Sequence, residues 1–349
     1  MSVDPILVLA WLALAHLVAD FVLQTDAIAA AKTSTGGRAW QGTLAHAIGV
    51  SACLIPLALA FGGPGLLALV AIVLSHVVID RTKVVATHRA EARALAEAAR
   101  RHEGRAPAAG LGRAWTPLPA AYFALDQLAH LVVIGIAWAV FLAGQPTTAG
   151  WASAIDSLLA GRDLEVAHRV VLYSVVVGAL LIANVRGGAL FVATLVRPIE
   201  AAAGADESHA ATVVARRSGP IRPTGMTMTE AQVERLRGWS FRIGPIAGRL
   251  VADPPTPLEP RADSVGERVA LPPPVQVGAT IGVLERLLIV TLLLVGADAA
   301  IGFVIAAKTI ARFRLLDDRD FAEYYLLGTL ASVSVAIVTA LAARAALNA

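Results

Sequence analysis

Charge is scarce in this sequence. Only 16% of its 349 residues are charged, whereas a soluble domain normally keeps about a quarter of its residues charged. At the same time, 57% of the residues are hydrophobic. This balance excludes an ordinary soluble protein and predicts an all-α fold, a polytopic bundle of transmembrane helices.

The sequence has a single cysteine and no recognisable secretory signal at its start. Cys53 is the only cysteine, which excludes an internal disulfide. The first residues lack the basic region and the small-residue cleavage site of a secretory signal, so we expect the first hydrophobic segment to be retained as a span. The pI is near 9.3, and we assign it to loop arginines that report membrane orientation. We expect no nucleic-acid partner.

Hydrophobic runs that suit membrane crossing are abundant. A span needs about 17–25 mostly apolar residues. The candidate spans are Pro5–Gln24, Thr43–Ala60, Pro64–Asp80, Ala121–Ala143, Val170–Arg186, Gly278–Val295 and Tyr324–Ala345. Residues 296–312 form a shorter apolar segment, which is either a tight eighth span or re-entrant, and we favour a span. The fold prediction is a bundle of seven or eight spans.

The distribution of arginine predicts the orientation. The loop between the third and fourth spans is rich in Arg and Lys, whereas the loop after the second span carries no charge. Basic loops remain in the cytoplasm. We therefore predict a multi-pass protein of the cell (inner) membrane, with an extracytoplasmic N-terminus and cytoplasmic segments at residues 25–42, 81–119 and 198–277.

Histidine and aspartate recur at spacing four within the apolar runs. The stretch HLVAD at residues 16–20 has a near copy, HVVID, at residues 76–80. Residues at this spacing share one face of a helix. Both stretches end a span, and the next span in each case begins with further polar residues. Because successive spans alternate in direction, these ends meet on one side of the membrane. The converging residues are His16, Asp20, His46, His76, Asp80, Asp126 and His130.

Two hairpins with the same motif indicate an N-terminal four-helix bundle built as a pseudo-repeat, whose centre gathers imidazoles and carboxylates. This ligand set suits a divalent metal, Zn, Mn or Fe. The predicted metal ligands are His16, His46, His76 and His130. The predicted catalytic residues are Asp20, Asp80 and Asp126, which would ligate, orient a histidine or act as general base. A proton or ion path, and simple hydrogen bonding between helices, are the alternatives.

A second group of charges lies in the C-terminal spans. Glu285 and Arg286 fall inside a predicted span, and Lys308 and Arg312 follow at spacing four. A carboxylate in a span normally finds a cation, and a basic pocket between helices also suits a phosphate. A structural ion pair and an anion site are equally favoured. The candidate substrate-binding residues are Lys83, Arg286, Lys308 and Arg312.

These features divide the chain into four regions. Residues 1–145 are the four-helix transmembrane bundle with its His/Asp cluster, and residues 146–200 are an extracytoplasmic loop and the fifth span. Residues 201–277 form a cytoplasmic segment rich in Pro, Gly and Arg, and residues 278–349 are the C-terminal transmembrane region. The third region lacks a run fit for a core, and we interpret it as a linker.

The stretches HLVADFVLQTD, SHVVIDRTK and ALDQLAH, together with His46, resemble a bacterial membrane-protein family catalogued as domain of unknown function number 3307. The resemblance covers about the first 140 residues. The C-terminal blocks IAAKTIARF and YLLGT look like the extension of longer members. The family has no established activity to carry over. A looser likeness links the His/Asp pattern to membrane-bound metal-dependent hydrolases, although their HRG-THS-type signature is missing.

The leading functional hypothesis is an integral-membrane metal-dependent hydrolase. A site near the cytoplasmic headgroups implies an amphiphilic substrate, a lipid or polyprenyl phosphate, so membrane lipid is the expected partner and an anionic lipid the expected substrate. A metal-ion or proton-coupled transporter is the first alternative. It is disfavoured because the polar groups cluster at one end of the spans. A non-enzymatic membrane scaffold or sensor is the other alternative.

Overall fold

The computed structural model describes residues 4–101, 113–197, 199–200, 238–243, 246–251, 274–317 and 319–348. The chain divides into two compact units, residues 1–205 with 279–349, and residues 206–278. Most of the predicted linker at residues 201–277 lies outside the described residues. Within it, strands β3 (Gly238–Ile243) and β4 (Ile246–Val251) pair antiparallel.

Helices build the larger unit. They are α1 (Pro5–Leu23), α2 (Asp26–Lys32), α3 (Gly36–Phe61), α4 (Gly63–Arg101), α5 (Leu118–Leu142), α6 (Ala149–Leu158), α7 (Leu164–Val196), α8 (Pro274–Leu294), α9 (Ala300–Ala311) and α10 (Arg319–Asn348). Strands β1 (Arg113–Ala114) and β2 (Ile199–Glu200) also pair antiparallel, which places the start of α5 beside the end of α7.

In the part of the chain that the structure describes, six helices are long and apolar enough to cross a membrane, namely α1, α3, α4, α5, α7 and α10 in its part from Phe321 onward. The prediction of an all-α, polytopic membrane bundle is confirmed. The count of seven or eight spans stays a prediction. Helix α9 has 12 residues, or about 18 Å at 1.5 Å per residue, which is shorter than a hydrocarbon core of about 30 Å.

Two predicted loops contain helix. Residues 25–42 include α2 and the first turns of α3, and α4 continues through residues 81–101. A hydropathy criterion finds where the apolar run ends, not where the helix ends. The stretch AEARALAEAARR after His88 consists of strong helix formers, so the helix extends beyond its apolar part.

Helices α1, α3, α4 and α5 form a four-helix bundle. One apolar core joins them, with contributions such as Leu12, Leu54, Ile72 and Ile134. Helix α7 packs against α1 and α5, and a second core joins α7, α8 and α10. Two apolar cores thus hold the helices of the larger unit together.

Three of the long helices contain a π-helical turn, at Ala19–Leu23 in α1, Trp138–Leu142 in α5 and Ala183–Gly187 in α7. A π-turn inserts one extra residue and is frequent at functional sites. Asp20 and Asn184 lie within two of these turns, and both side chains are buried. The turns thus coincide with the polar positions of α1 and α7.

The short helix α2 packs closely on α3 at Gly42. A Cβ atom added to Gly42 would lie 2.5 Å from the backbone nitrogen of Lys32 and 2.7 Å from the Cβ of Ala31. Arg81 fixes the end of α2 because its Nη1 donates to the carbonyl of Lys32 at 3.1 Å. These contacts hold α2 across one end of the bundle.

Gly42→Ala should destabilise the protein by about 1–3 kcal/mol, because backbone atoms of α2 have to move away from the new methyl group. Gly135→Ala in α5 is the control, since a Cβ there meets nothing within 4 Å. Thermal unfolding of both variants in detergent measures the difference. Equal unfolding temperatures would contradict the close approach of α2 to α3.

Candidate metal centre

The seven His and Asp residues singled out in the sequence lie together inside the four-helix bundle. They are His16 and Asp20 of α1, His46 of α3, His76 and Asp80 of α4, and Asp126 and His130 of α5, each at most 9% exposed. The cluster lies at the end of the bundle where α1 ends and α5 begins. The 16 residues from His46 to Phe61 span about 22 Å, so the opposite end of the bundle is distant.

Two lysines enter the cluster and pair with carboxylates. Lys32 of α2 donates to Asp80 Oδ2 at 2.5 Å and to Gln24 Oε1 at 2.7 Å. Lys83 donates to Asp126 Oδ2 at 2.7 Å, and its Nζ lies 3.6 Å from Asp80 Oδ1. Asp80 therefore lies between two ammonium groups, one from α2 and one from its own helix.

His46, His76 and Asp20 bring three ligand atoms to one point. The Nε2 atoms of His46 and His76 are 2.9 Å apart. They lie 3.3 and 3.4 Å from Asp20 Oδ1, respectively. Ligands at about 2.0–2.2 Å from a tetrahedral or octahedral ion are about 2.8–3.6 Å from one another. The triangle has the size of one face of such a coordination sphere.

Asp80 lies beside this triangle. Its Oδ2 is 3.4 Å from the Nε2 of His76 and 3.6 Å from that of His46. Lys32 donates a hydrogen bond to the same oxygen. From this position, Asp80 can either complete the ligand set or accept a proton from a molecule bound at the triangle.

His130 presents a free nitrogen. Its Nδ1 lies 2.8 Å from the backbone carbonyl of Asp126, and only a protonated Nδ1 can make that hydrogen bond. In the neutral ring, Nε2 then carries the lone pair. Nε2 is buried and has no hydrogen-bond partner among the described residues. A histidine whose other nitrogen donates to a carbonyl is the usual arrangement of a metal ligand.

Gln127 of α5 connects residues of α1 with Asp126 of α5 through hydrogen bonds. Its Oε1 is 3.2 Å from His16 Nε2, and its Nε2 donates to Asp20 Oδ2 at 3.3 Å and to Asp126 Oδ2 at 3.1 Å. The amide thereby orients the imidazole of His16 and holds the two carboxylates in place.

Ligand atoms within 4.8 Å of one another define three overlapping sets. They are Asp20 with His46 and His76, Asp20 with Asp126 and His130, and His16 with His76 and His130. Within the described part of the bundle, the buried side-chain atoms without a hydrogen-bond partner are Asp20 Oδ1, Asp80 Oδ1, Asp126 Oδ1 and His130 Nε2. All of them are acceptors of the kind that binds a cation.

The charges of the cluster do not balance. Counted as formal charges with histidine taken as neutral, three carboxylates and two ammonium groups leave one negative charge in excess. A buried charge without a counter-charge is costly in a membrane. The cluster therefore suits one further cation, either a proton on an imidazole or a metal ion.

A small cavity adjoins the imidazoles. Its volume is about 10 Å³, and its walls include His16, His76 and His130 together with apolar residues such as Leu12 and Leu54. This volume suits about one water molecule. The cavity separates the polar cluster from the apolar core.

The other predicted binding residues lie in a different place. Of the four, only Lys83 joins the cluster. Arg286 donates to the carbonyl of Asn184 and to Ser332, and Lys308 pairs with Glu285 at 2.5 Å. The guanidinium of Arg312 lies 5.8 Å from the ring of Tyr325. These three cations thus contact residues of α7, α8 and α10.

Sequence reasoning missed Lys32, Gln127 and Asn184. Lys32 lies in a segment interpreted as a loop, and only the packing of α2 carries it into the bundle. Gln127 and Asn184 are uncharged amides within apolar runs. An amide in a membrane span also needs a hydrogen-bond partner, which is the signal that could have identified both residues.

Lys32→Met should destabilise the protein by about 3–5 kcal/mol, because it leaves Asp80 buried without its closest cation. Combining Lys32→Met with Asp80→Asn should restore part of that loss. Arg169→Met is the control, since Arg169 pairs with Glu165 on the exposed side of α7 and such pairs contribute little. A double-mutant cycle by thermal unfolding measures the coupling, and additive effects would contradict the pairing.

Comparison with known proteins gives one result. No curated protein and no solved structure matches the chain. Residues 8–159 match a protein family, and this stretch contains α1 to α6 and every residue of the His/Asp cluster. The family is described as a protein of unknown function (DUF3307), and this part of the chain is similar to it.

Proposed function

We propose that the protein is a metal-dependent hydrolase of the membrane, with its metal centre in the four-helix bundle. The observation that carries the proposal is the triangle of His46 Nε2, His76 Nε2 and Asp20 Oδ1, with sides of 2.9, 3.3 and 3.4 Å. Two imidazoles and a carboxylate are the ligands of many catalytic Zn and Fe sites, which keep a position open for water. The unpartnered acceptors and the excess negative charge point the same way.

Each residue has a distinct role in this proposal. His46, His76 and Asp20 would hold a divalent ion, Zn, Mn or Fe. The chemistry that such an ion would supply is activation of a water molecule and polarisation of the substrate's oxygen. Asp80 accepts the proton of the attacking water, and Lys32 and Lys83 stabilise its carboxylate in the ionised form.

The remaining residues orient and bind. His16 and His130 line the small cavity beside the ligand triangle and form hydrogen bonds with water there. Asp126 holds Lys83, whose ammonium group binds a phosphate or carboxylate oxygen of the substrate. The burial of the cluster among apolar helices favours an amphiphilic substrate, a lipid or polyprenyl phosphate, that reaches the site from the bilayer.

A proton-coupled or metal-ion transporter is the second candidate. The distance of 2.9 Å between two Nε2 atoms suits a single shared proton, and a proton would also neutralise the excess charge. Transport requires polar groups along the whole depth of the membrane. The cavity beside the imidazoles is instead lined by apolar residues such as Val50, Ile72 and Ile134, so the hydrolase is favoured.

Wild-type protein purified without chelators should contain about one equivalent of Zn, Mn or Fe. His46→Ala, His76→Ala and Asp20→Asn should each lower the metal content at least about tenfold, because each removes a ligand. His88→Ala is the control, since His88 is an exposed histidine of the same helix as His76. Elemental analysis measures the content. Metal-free wild-type protein, or variants that keep their metal, would contradict the metal centre and would favour a proton shared between His46 and His76.

Hydrolysis itself has a separate test. Asp80→Asn should retain metal and lose activity, since it keeps the size of the side chain and removes the base. The measurement is mass spectrometry of lipid products after incubation in nanodiscs that contain phospholipid or polyprenyl phosphate, with and without chelator. If the wild-type protein binds metal and yields no product from either lipid, the hypothesis of hydrolase activity is wrong, whereas the hypothesis of a metal centre still holds.

The proposed orientation places the N-terminus outside the inner membrane and the end of α4 in the cytoplasm. In a Cys53→Ala background, Ala96→Cys on α4 should react with an impermeant thiol reagent only after the cells are opened. Ala160→Cys, between α6 and α7, should react in intact cells. The opposite pattern would reverse the topology, since the two positions lie at opposite ends of membrane-spanning helices.

A further inference from the structure

A buried arginine joins three helices in the C-terminal half. Arg286 of α8 is 2% exposed. Its Nε donates to the carbonyl of Asn184 at 2.7 Å, and its Nη1 donates to Ser332 Oγ of α10 at 3.1 Å. Asn184 lies in the π-turn of α7. Gly188 makes room for this contact, since a Cβ there would lie 2.8 Å from Arg286 Nε.

The charge of Arg286 has no carboxylate partner among the described residues. The adjacent Glu285 pairs instead with Lys308, whose Nζ lies 2.5 Å from Glu285 Oε2. One positive charge therefore remains uncompensated in the interior of the helices. Inside a membrane, such a charge calls for an anion.

In the described parts of α8 and α10, the two helices that the Arg286–Ser332 hydrogen bond joins, buried hydrogen-bond donors lack partners. Among the described residues, Arg286 Nη2, Thr329 Oγ1 and Tyr325 OH are buried and have no partner. Tyr325, Thr329 and Ser332 are spaced by four and three residues, so they share one face of α10. Because Ser332 contacts Arg286, this face is directed towards α8. Asn184 Oδ1 is the one unpartnered acceptor in this region.

Two further cations reinforce the same face of α10. Lys308 Nζ lies 5.6 Å from the ring centre of Tyr325, and the guanidinium carbon of Arg312 lies 5.8 Å from it. Both cations thus lie near the ring of Tyr325, and Lys308 is at the same time paired with Glu285. The His/Asp cluster has the reverse character, since its unpartnered atoms are acceptors and its excess charge is negative.

We propose that Arg286, Thr329 and Tyr325 form an anion site that takes the phosphate of a membrane phospholipid headgroup. Guanidinium and hydroxyl groups are strong donors to phosphate oxygens, and basic pockets between membrane helices bind anionic headgroups. The unpartnered atoms are enclosed, so binding involves a local movement of side chains between α8 and α10. The site is independent of the proposed metal centre and of hydrolysis.

Tyr325→Phe and Thr329→Val test the site, because each removes one unpartnered hydroxyl and keeps the shape of the side chain. Tyr324→Phe is the matched control, since Tyr324 is the exposed neighbour of Tyr325. The full-length protein is washed in detergent, and bound phospholipid is counted by native mass spectrometry. Thermal shifts are then titrated with phosphatidylglycerol, with phosphatidylcholine and with inorganic phosphate.

Wild type and Tyr324→Phe should retain phospholipid and gain thermal stability from phosphatidylglycerol. Tyr325→Phe and Thr329→Val should bind at least about tenfold more weakly, as expected for the loss of one hydrogen bond to a charged group. Their unfolding temperatures without lipid should be unchanged or higher, because an unsatisfied buried hydroxyl is removed. Unaltered lipid binding in both variants would overturn the site. Stabilisation by inorganic phosphate but not by phosphatidylglycerol would overturn the assignment of the bound phosphate to a lipid headgroup.

Discussion

The carboxylate of Asp80, held between Lys32 and Lys83 inside an apolar bundle, is the interaction on which the N-terminal half depends. An ion in this environment has to be compensated locally, because Asp80 is only 1% exposed. Lys83 comes from the same helix as Asp80, one turn away, and is available as soon as α4 forms. Lys32 comes from α2, so the chain between α1 and α3 has to turn back over the bundle. Gly42 and Arg81 fix α2 in that place.

The two halves of the larger unit use the same physical rule with opposite signs. In the four-helix bundle, carboxylates outnumber ammonium groups, and the atoms left without partners are acceptors. Among the described residues between α8 and α10, a guanidinium group lacks a carboxylate, and most of the atoms left without partners are donors. One membrane unit thus contains a cluster of unpartnered acceptors and, elsewhere, a group of unpartnered donors.

The sequence was sufficient for the fold class and for the grouping of the cluster. The apolar runs predicted a helical membrane protein, and the spacing of His16 with Asp20 and of His76 with Asp80 indicated one face of two helices. The alternation of span directions then indicated which helix ends meet. This reasoning succeeded because it used only the helical period and chain direction, which are local properties.

The parts that sequence could not supply depend on tertiary contacts. Lys32 follows three alanines in a segment between two spans, where a lysine normally signals only the cytoplasmic side. Its burial results from the close approach of α2 to Gly42. The π-turns at Asp20 and Asn184 depend on hydrogen bonds between residues five apart, which the apolar pattern does not encode. For Glu285, the sequence predicted a cation as partner without identifying which one, and the structure pairs it with Lys308.

The position of Lys32 also constrains the order of assembly during biosynthesis. A lysine without a counter-charge is expelled from hydrocarbon, and the carboxylate that accepts Lys32 enters the membrane 48 residues later. Helix α2 therefore has to wait at the membrane surface until α4 has been inserted. Closure of α2 over the bundle is then a late step, which completes only when the third apolar segment of the nascent chain is in place.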